Sequence, residues 1–337
     1  MKKFIYPFIF ILLMVTFLGC STSGQLQKIQ FQGEAQGTYY AITYFANDTL
    51  VKQQEIDSLL KDFDLSASIW VENSVISRIN RNDPGAVPDE HFADIFRHSQ
   101  RVSEISGGAF DITVGPLVNA WGFGFKNKMN INQQIVDSLL TLVNYKAVKL
   151  NEGKLLKENP NIQIDFNAIA QGYSVDLTGG FLEKNGISDF LIDIGGEVLA
   201  RGRKPDGELW TVGIEKPSEN ADSDRQLKAI ISMSNKAIAT SGNYRKFYEV
   251  EGIRYSHTID PKTGYPVRHS LLSATVMADS ATIADAYATA FMVMGIEKTQ
   301  EFLKNQPGLE VYLIYSASDG ELKTWKSPGI EKMLQEQ

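Results

Sequence analysis

The chain has 337 residues, with 33 Lys and Arg against 40 Asp and Glu, a formal charge of −7 at neutral pH. This balance excludes the basic face that a nucleic-acid backbone demands, and the sole cysteine excludes a disulfide framework or a thiolate zinc site. At 43% hydrophobic and 22% charged, with 27 Gly and 11 Pro, the composition is that of a globular protein, long enough for one large domain or two smaller ones.

The first residues differ in kind from the rest. Lys2 and Lys3 precede an apolar run from Phe4 to Leu18, which ends at Gly19 and Cys20. A positive start, a short apolar segment and a small residue before the cleavage point are what export signals require, and the run is short for a membrane span. Residues 1–19 therefore read as a lipoprotein signal peptide with Cys20 as the lipidation site, although Phe17 stands where a bacterial lipobox usually has Leu. Ser21, Thr22, Ser23 and Gly24 suit a flexible tether, drawn over residues 20–28. With no repeat, low-complexity tract or second linker beyond it, residues 29–337 are expected to form one catalytic unit. The leader places that unit in a bacterial cell envelope, anchored to a membrane by lipid and facing the periplasm.

Tyr39 to Phe45 alternates as a strand does, and Ile56, Leu59, Leu60 and Phe63 mark one face of a helix between about Leu50 and Asp64. A second helix is predicted from Asp89 to Ser106 with Phe92, Ile95 and Phe96 inward and Gly107 at its C-terminal cap, and Ile135, Leu139 and Leu142 mark a third. Val148–Leu150 and Leu155–Lys157 read as a hairpin around Asn151-Glu152-Gly153. Ile162–Phe166 reads as a strand and Ala168–Gly186 as a helix. Strands follow at Phe190–Ile194, Glu197–Arg201, Trp210–Glu215, Ala229–Ser234, Ala237–Thr240 and Phe247–Glu251. Helices at Ser280–Met294 and Glu297–Leu303 and a strand at Leu309–Tyr315 close the chain. Strands and helices come in runs, so the expected class is α+β, with mixed or antiparallel sheets and packed helices.

Four segments interrupt these elements with Gly and polar residues. The first runs from Ser106-Gly107-Gly108-Ala109-Phe110-Asp111 to Leu117, followed by Trp121-Gly122-Phe123-Gly124; its glycines allow close approach of a ligand, and Phe110, Trp121 and Phe123 offer stacking surfaces. A helix cap followed by a core loop is the other reading. The second, Asp165-Phe166-Asn167-Ala168-Ile169-Ala170-Gln171-Gly172, leads an acid into a small-residue helix start, either an anion site or a plain N-cap. The third, Asp193-Ile194-Gly195-Gly196-Glu197, is equally a tight turn or a phosphate loop. The fourth joins Ala239-Thr240-Ser241-Gly242-Asn243-Tyr244, His257-Thr258-Ile259-Asp260-Pro261-Lys262-Thr263-Gly264 and the helix at Asp285-Ala286-Tyr287-Ala288-Thr289. Asp279 can cap that helix. Asp285 and Thr289 stand four apart on one face, a carboxylate and a hydroxyl suited to a hard cation such as magnesium. His257, beside an Asp-Pro turn, is a candidate general base, whereas His91 and His98 read as surface residues.

Together these runs, in this order, resemble the ApbE family of FAD:protein FMN transferases over nearly the whole chain beyond the tether. The resemblance implies magnesium held by Asp285, Thr289 and the backbone carbonyl of Ala168. It implies FAD contacts at Gln36, Trp70, Ala109, Phe110, Asp111, Asp165, Gln171 and Ile259, with His257 catalytic. Here Gln36, Trp70 and Gln171 depart from the family's usual Met, Tyr and Lys or Glu. The implied reaction is transfer of FMN from FAD to a threonine hydroxyl of an acceptor protein with release of AMP, the acceptors being subunits of membrane electron-transfer complexes or other flavinylated proteins. Two alternatives stay open: a pyrophosphatase that splits FAD into FMN and AMP, and a flavin-binding lipoprotein without turnover.

Overall fold

The computed structural model describes residues 26–124, 129–217, 226–243, 247–250 and 253–336. Cys20 and the leader lie outside the described residues. In chain order the elements are strands β1 (Gln27–Ala35) and β2 (Thr38–Ala46), and helices α1 (Gln53–Ala67), α2 (Val75–Asn80), α3 (Glu90–Ile105), α4 (Gly115–Ala120) and α5 (Gln133–Leu140). Strands β3 (Val148–Asn151) and β4 (Lys154–Lys157) and helix α6 (Ala170–Lys184) come next. They are followed by β5 (Phe190–Ile194), β6 (Glu197–Arg201), β7 (Trp210–Glu215), β8 (Leu227–Met233), β9 (Lys236–Gly242), β10 (Phe247–Val250), β11 (Ile253–Ser256) and β12 (Leu271–Ala278). Helix α7 (Ala281–Leu303), β13 (Glu310–Ser316), β14 (Leu322–Lys326), α8 (Pro328–Glu331) and β15 (Leu334–Glu336) complete the chain. The fold is α+β, as the runs of strands and helices imply.

An eight-stranded antiparallel sheet in the order β1-β2-β5-β6-β9-β12-β13-β14 forms the frame, with the smaller sheet β15-β8-β7 against one face. Alternation along the central strands separates two cores. Val198, Ala200 and Ile238 pack with Trp210, Ile214 and Ile231 of the small sheet, whereas Leu199 and Ala237 pack with Val175 and Leu182 of α6 on the opposite face. Burying side chains such as these stabilises by roughly 1.5–3 kcal/mol each before entropy is counted. Helices α6 and α7 lie on that second face, and α1 and α3 pack beyond them.

Several expectations need correction. Ile162–Phe166 is not a strand: both backbone groups of Ile164 bond the Asn80 side-chain amide, and Lys157 Nζ donates to the Ile162 carbonyl, so side chains replace a neighbouring strand. Helix α5 buries Val136, with Ile135 and Leu139 only half-buried. The two expected C-terminal helices, by contrast, are present: α7 is broken between them at Gly295, whose φ of 76° and ψ of −178° no side-chain-bearing residue adopts readily. His269 Nε2 lies 2.8 Å from the Met292 carbonyl at that break. Strand β1 begins at Gln27, so the last two residues of the expected tether are strand. His91 is not a plain surface residue: it is half-buried, within 3.3 Å of the Tyr173 hydroxyl and edge-on to Phe63.

Candidate active site

The site is built where α6 crosses α7. Asp176 of α6 accepts from the backbone N–H of Ala281 and Thr282 and from the hydroxyls of Ser280 and Thr282, while Ser280 is the N-cap of α7. Asp279, expected as the cap, instead pairs with Lys236 at 2.6 Å. This fixes the start of α7 against α6 and so fixes the phase of the residues one and two turns on. Gly172 lies at the crossing, where a methyl group would come within 2.7 Å of the Ala281 carbonyl carbon and 2.8 Å of Asp285 Cβ. Its N–H donates to Asp285 Oδ2 at 3.0 Å. Gly172 is the third residue after the N-cap Ile169, so its N–H is one of the first-turn donors with no partner inside the helix, and Asp285 satisfies it; the Ala168 carbonyl, one residue before the N-cap, lies outside the helix ladder. One turn further, Thr289 Oγ1 is 3.2 Å from the hydroxyl of Ser241, at the end of β9.

The donor set fits a hard cation. Asp285 is 6% exposed, and burial pushes its carboxyl up to about 7. Glu197, at the start of β6, is raised well above the usual carboxylate range by burial first and the charge of Asp285 second, and its Oε2 is buried with no hydrogen-bond partner. Among the described residues no cluster of three His, Cys, Asp or Glu side chains is placed to hold a metal, so a cation here would draw on hydroxyl and carbonyl oxygens beside carboxylates. Among the described residues no basic side chain pairs with Asp285, and the Gly172 N–H opposes the effect of burial on its carboxyl. Uncompensated buried negative charge is costly, and magnesium, with its preference for oxygen ligands, would offset it.

Around this crossing the motif loops brace one another. The indole N–H of Trp121 donates to the Gly264 carbonyl at 2.8 Å, and its ring packs 5.5 Å from that of Tyr265. Thr258 donates to the Asn243 side-chain oxygen at 2.8 Å, which ties the His257 loop to the run that ends β9. Ile259 bridges to Pro266 and is buried with Leu117, Trp121 and Val136. His257 is half-buried, its ring edge-on to Phe123 at 6.3 Å. From Thr289 through Ser241 and Asn243 to Thr258, a short series of contacts connects the α7 face to the residue after His257.

The glycine-rich loop after α3 is held by its own carboxylate. Asp111 Oδ1 accepts from the N–H and hydroxyl of Thr113, and Oδ2 accepts from the N–H of Tyr145 at 2.9 Å. Burial raises the carboxyls of both Asp111 and Asp165. The N–H of Asp165 donates to the Ile112 carbonyl at 2.8 Å, which joins this loop to the segment entering α6. Asp165 accepts from the N–H of Asn167 and caps no helix; the N-cap of α6 is Ile169. The rings of Phe110 and Trp121 are core residues, so neither is a stacking surface as the sequence suggested, and only backbone at Phe110 can meet a ligand. Ala109 borders a cavity of about 310 Å³ with Asp260, Lys262 and Met294. Asp111 borders a larger cleft of about 910 Å³ with Asn144, Tyr145, Lys146 and Lys262.

On the opposite flank, Gln36 occupies the β1–β2 turn at a φ of 54°, its Oε1 accepting from Ser174 of α6 and its Nε2 buried without a partner. Gln171 donates to the Ile194 carbonyl at 2.7 Å. The Gly195-Gly196 pair is a hairpin turn between β5 and β6 rather than a phosphate loop, because its amides are used internally: Gly195 donates to the Tyr39 carbonyl and Gly196 to Asp193 Oδ1. Trp70 is 63% exposed. The fold thus brings Gln36, Gln171, Ala168 and Asp285 around the start of α6, with Thr289 one turn further along α7 and Asp165 bonded to Ile112, the residue after the Ala109–Asp111 loop. Sequence reasoning gave no role to Ser241, Asp176 or Glu197; the parity of Glu197 with inward Leu199 along β6 was the available signal for the last.

The chain matches the ApbE family over residues 36–313. It is 32% identical over 335 residues to a protein of Haemophilus influenzae named FAD:protein FMN transferase, covering 95% of each chain, and 34% identical over 340 residues to one of the same name from Escherichia coli K12, covering 94% of each. The fold is similar to that of the flavin transferase ApbE from Vibrio cholerae, with a TM-score of 0.81 at 31% identity over 91% of this chain and 99% of that one. The apo form of Pseudomonas stutzeri flavinyl transferase ApbE gives 0.81 at 30% identity, over 92% and 97%.

Proposed function

The chain belongs to the ApbE family, and on that premise we propose that it transfers the FMN part of FAD to a threonine hydroxyl of an acceptor protein, releasing AMP in a magnesium-dependent reaction. The observation that supports this reading is the contact of Gly172 with Asp285, which holds a buried carboxylate against the start of α6, just after Ala168, with the Thr289 hydroxyl one turn further along α7. These three groups would hold magnesium, which when bound neutralises the pyrophosphate and stabilises the departing phosphate. Asp165, Gln171, Gln36, the Ala109–Asp111 backbone and Ile259 orient FAD, and exposed Trp70 supplies a stacking face.

In the transfer step the threonine oxygen forms a bond to the FMN phosphorus as the bond from that phosphorus to the AMP oxygen breaks. The hydroxyl proton passes to a ring nitrogen of His257, whose loop is tied through Thr258 to Asn243 at the end of β9. With Cys20 lipidated, the enzyme would act at the envelope membrane on subunits of electron-transfer complexes.

The test incubates the purified protein with FAD and magnesium, with and without a threonine-containing acceptor domain. A mass gain of one FMN on the acceptor, with AMP in equal amount, is expected. FMN and AMP released alike in both samples, with the acceptor unmodified, would make the protein a pyrophosphatase instead.

A further inference from the structure

We propose that Glu197 is the second carboxylate of the cation site, so that the cation is held between strand β6 and helix α7. The inference rests on the proposed cation at Asp285 and adds a donor to it from the sheet. Strand parity places the residue. Val198 and Ala200 face the small sheet and Leu199 faces α6, so Glu197, one residue before Val198, shares the helix-facing side with Leu199. Val198 pairs with Ile238, which sets Glu197 level with Ala239, next along that face to Ser241, the residue that touches Thr289.

The chemistry of the side chain agrees with this placement. Among the described residues its buried Oε2 has no hydrogen-bond partner, and the donor to the carboxylate is the backbone amide of the same residue. A carboxylate kept for structural reasons is normally surrounded by donors, because burying it otherwise is expensive. Among the described residues the charged groups that act on Glu197 are Asp285 and Asp193, both acidic. Two neighbouring carboxylates on the inside of the fold, with no basic side chain among the described residues to pair with them, have the charge and oxygen donors that a hard divalent cation takes.

The experiment titrates magnesium into the full chain without flavin or acceptor, by calorimetry and by the cation-induced rise in Tm, for wild type, Glu197→Gln and Asp285→Asn. Glu197→Gln keeps size and hydrogen-bonding capacity and removes the charge. It should weaken magnesium by about tenfold or more, while raising the Tm measured in chelator, since one of two adjacent buried charges is gone. Glu197→Asp, which retains the charge, should keep the larger part of the affinity and decides the matter if Glu197→Gln does not fold. Wild-type affinity in Glu197→Gln alongside a loss in Asp285→Asn would remove Glu197 from the site and leave the cation at Asp285 standing. No magnesium binding by wild type would overturn both.

Discussion

The backbone N–H of Gly172 and the carboxylate of Asp285 meet at 3.0 Å across two helices that are far apart in sequence. The contact gives a first-turn N–H of α6, which has no partner inside its own helix, an acceptor on the neighbouring helix. Helix packing and the placement of the Asp285 carboxylate therefore share a single amide.

Gly172→Ala should be severe for that reason. The added methyl meets the backbone of Ala281, which cannot rotate out of the way, so the helices must separate. Overpacking of this kind costs typically about 1–3 kcal/mol. Urea unfolding should show a loss in that range, and FMN transfer should fall further than stability alone explains, because Asp285 shifts relative to Ala168. Wild-type transfer in this variant would mean that the crossing tolerates a wider separation.

The pH dependence of stability has a defined sign. Asp285 ordinarily titrates at 3.8, and in the fold at about 7, so the native state binds the proton more tightly than the unfolded chain does. Its contribution is complete below 3.8 and lost as pH rises through about 7. Asp111 and Asp165, also raised by burial, slope in the same direction. In chelator, Tm should therefore decline across this window, and Asp285→Asn should decline less. Magnesium should restore Tm at the alkaline end and do little near pH 4, where Asp285 is protonated. Parallel curves for wild type and Asp285→Asn in chelator would contradict the assignment.

His257→Ala should keep FAD binding and lose most transfer. A positioned base is typically worth about a hundredfold to ten-thousandfold in rate. The proposed flavin contacts at Trp70, Asp165 and Gln171 need no imidazole, so a flavin titration should match wild type. Single-turnover labelling of an acceptor at saturating FAD reads the rate; a near-normal value would reduce His257 to a packing partner of Phe123.

Cys20→Ser should leave the chain without lipid. Membrane fractionation and intact mass would read this directly, with the variant moving to the soluble fraction or persisting as uncleaved precursor. Unchanged partitioning and mass would place the anchor elsewhere.

Much of the frame was legible where burial is one-sided. Phe190–Ile194, Glu197–Arg201 and Trp210–Glu215 are strands with the bounds that their composition and flanking turns suggest, and the hairpin around Asn151-Glu152-Gly153 is present. Strand β12 was missed although it is central, because seven of its eight residues are buried and the run carries no alternation to read. Ile162–Phe166 failed for the converse reason: an apolar run was legible, but its partner was the Asn80 side chain, which no periodicity announces. Asp285 and Thr289 could be paired from helical spacing alone. That Gly172, Ser241 and Glu197 surround them is tertiary, and only the crossing of α6 and α7 against the sheet reveals it.

The break at Gly295 divides α7 into two parts whose rotations are independent. In an unbroken helix each inserted or deleted residue turns everything beyond it by about 100°. Here the left-handed step at Gly295, with His269 beside the Met292 carbonyl, ends that propagation. The upstream part, fixed by Asp176, keeps Asp285 and Thr289 in register, whereas Lys298, Glu301 and Phe302 beyond the break line the smaller cavity. Length changes past Gly295 can therefore reshape that cavity wall while Asp285 and Thr289 hold their azimuth.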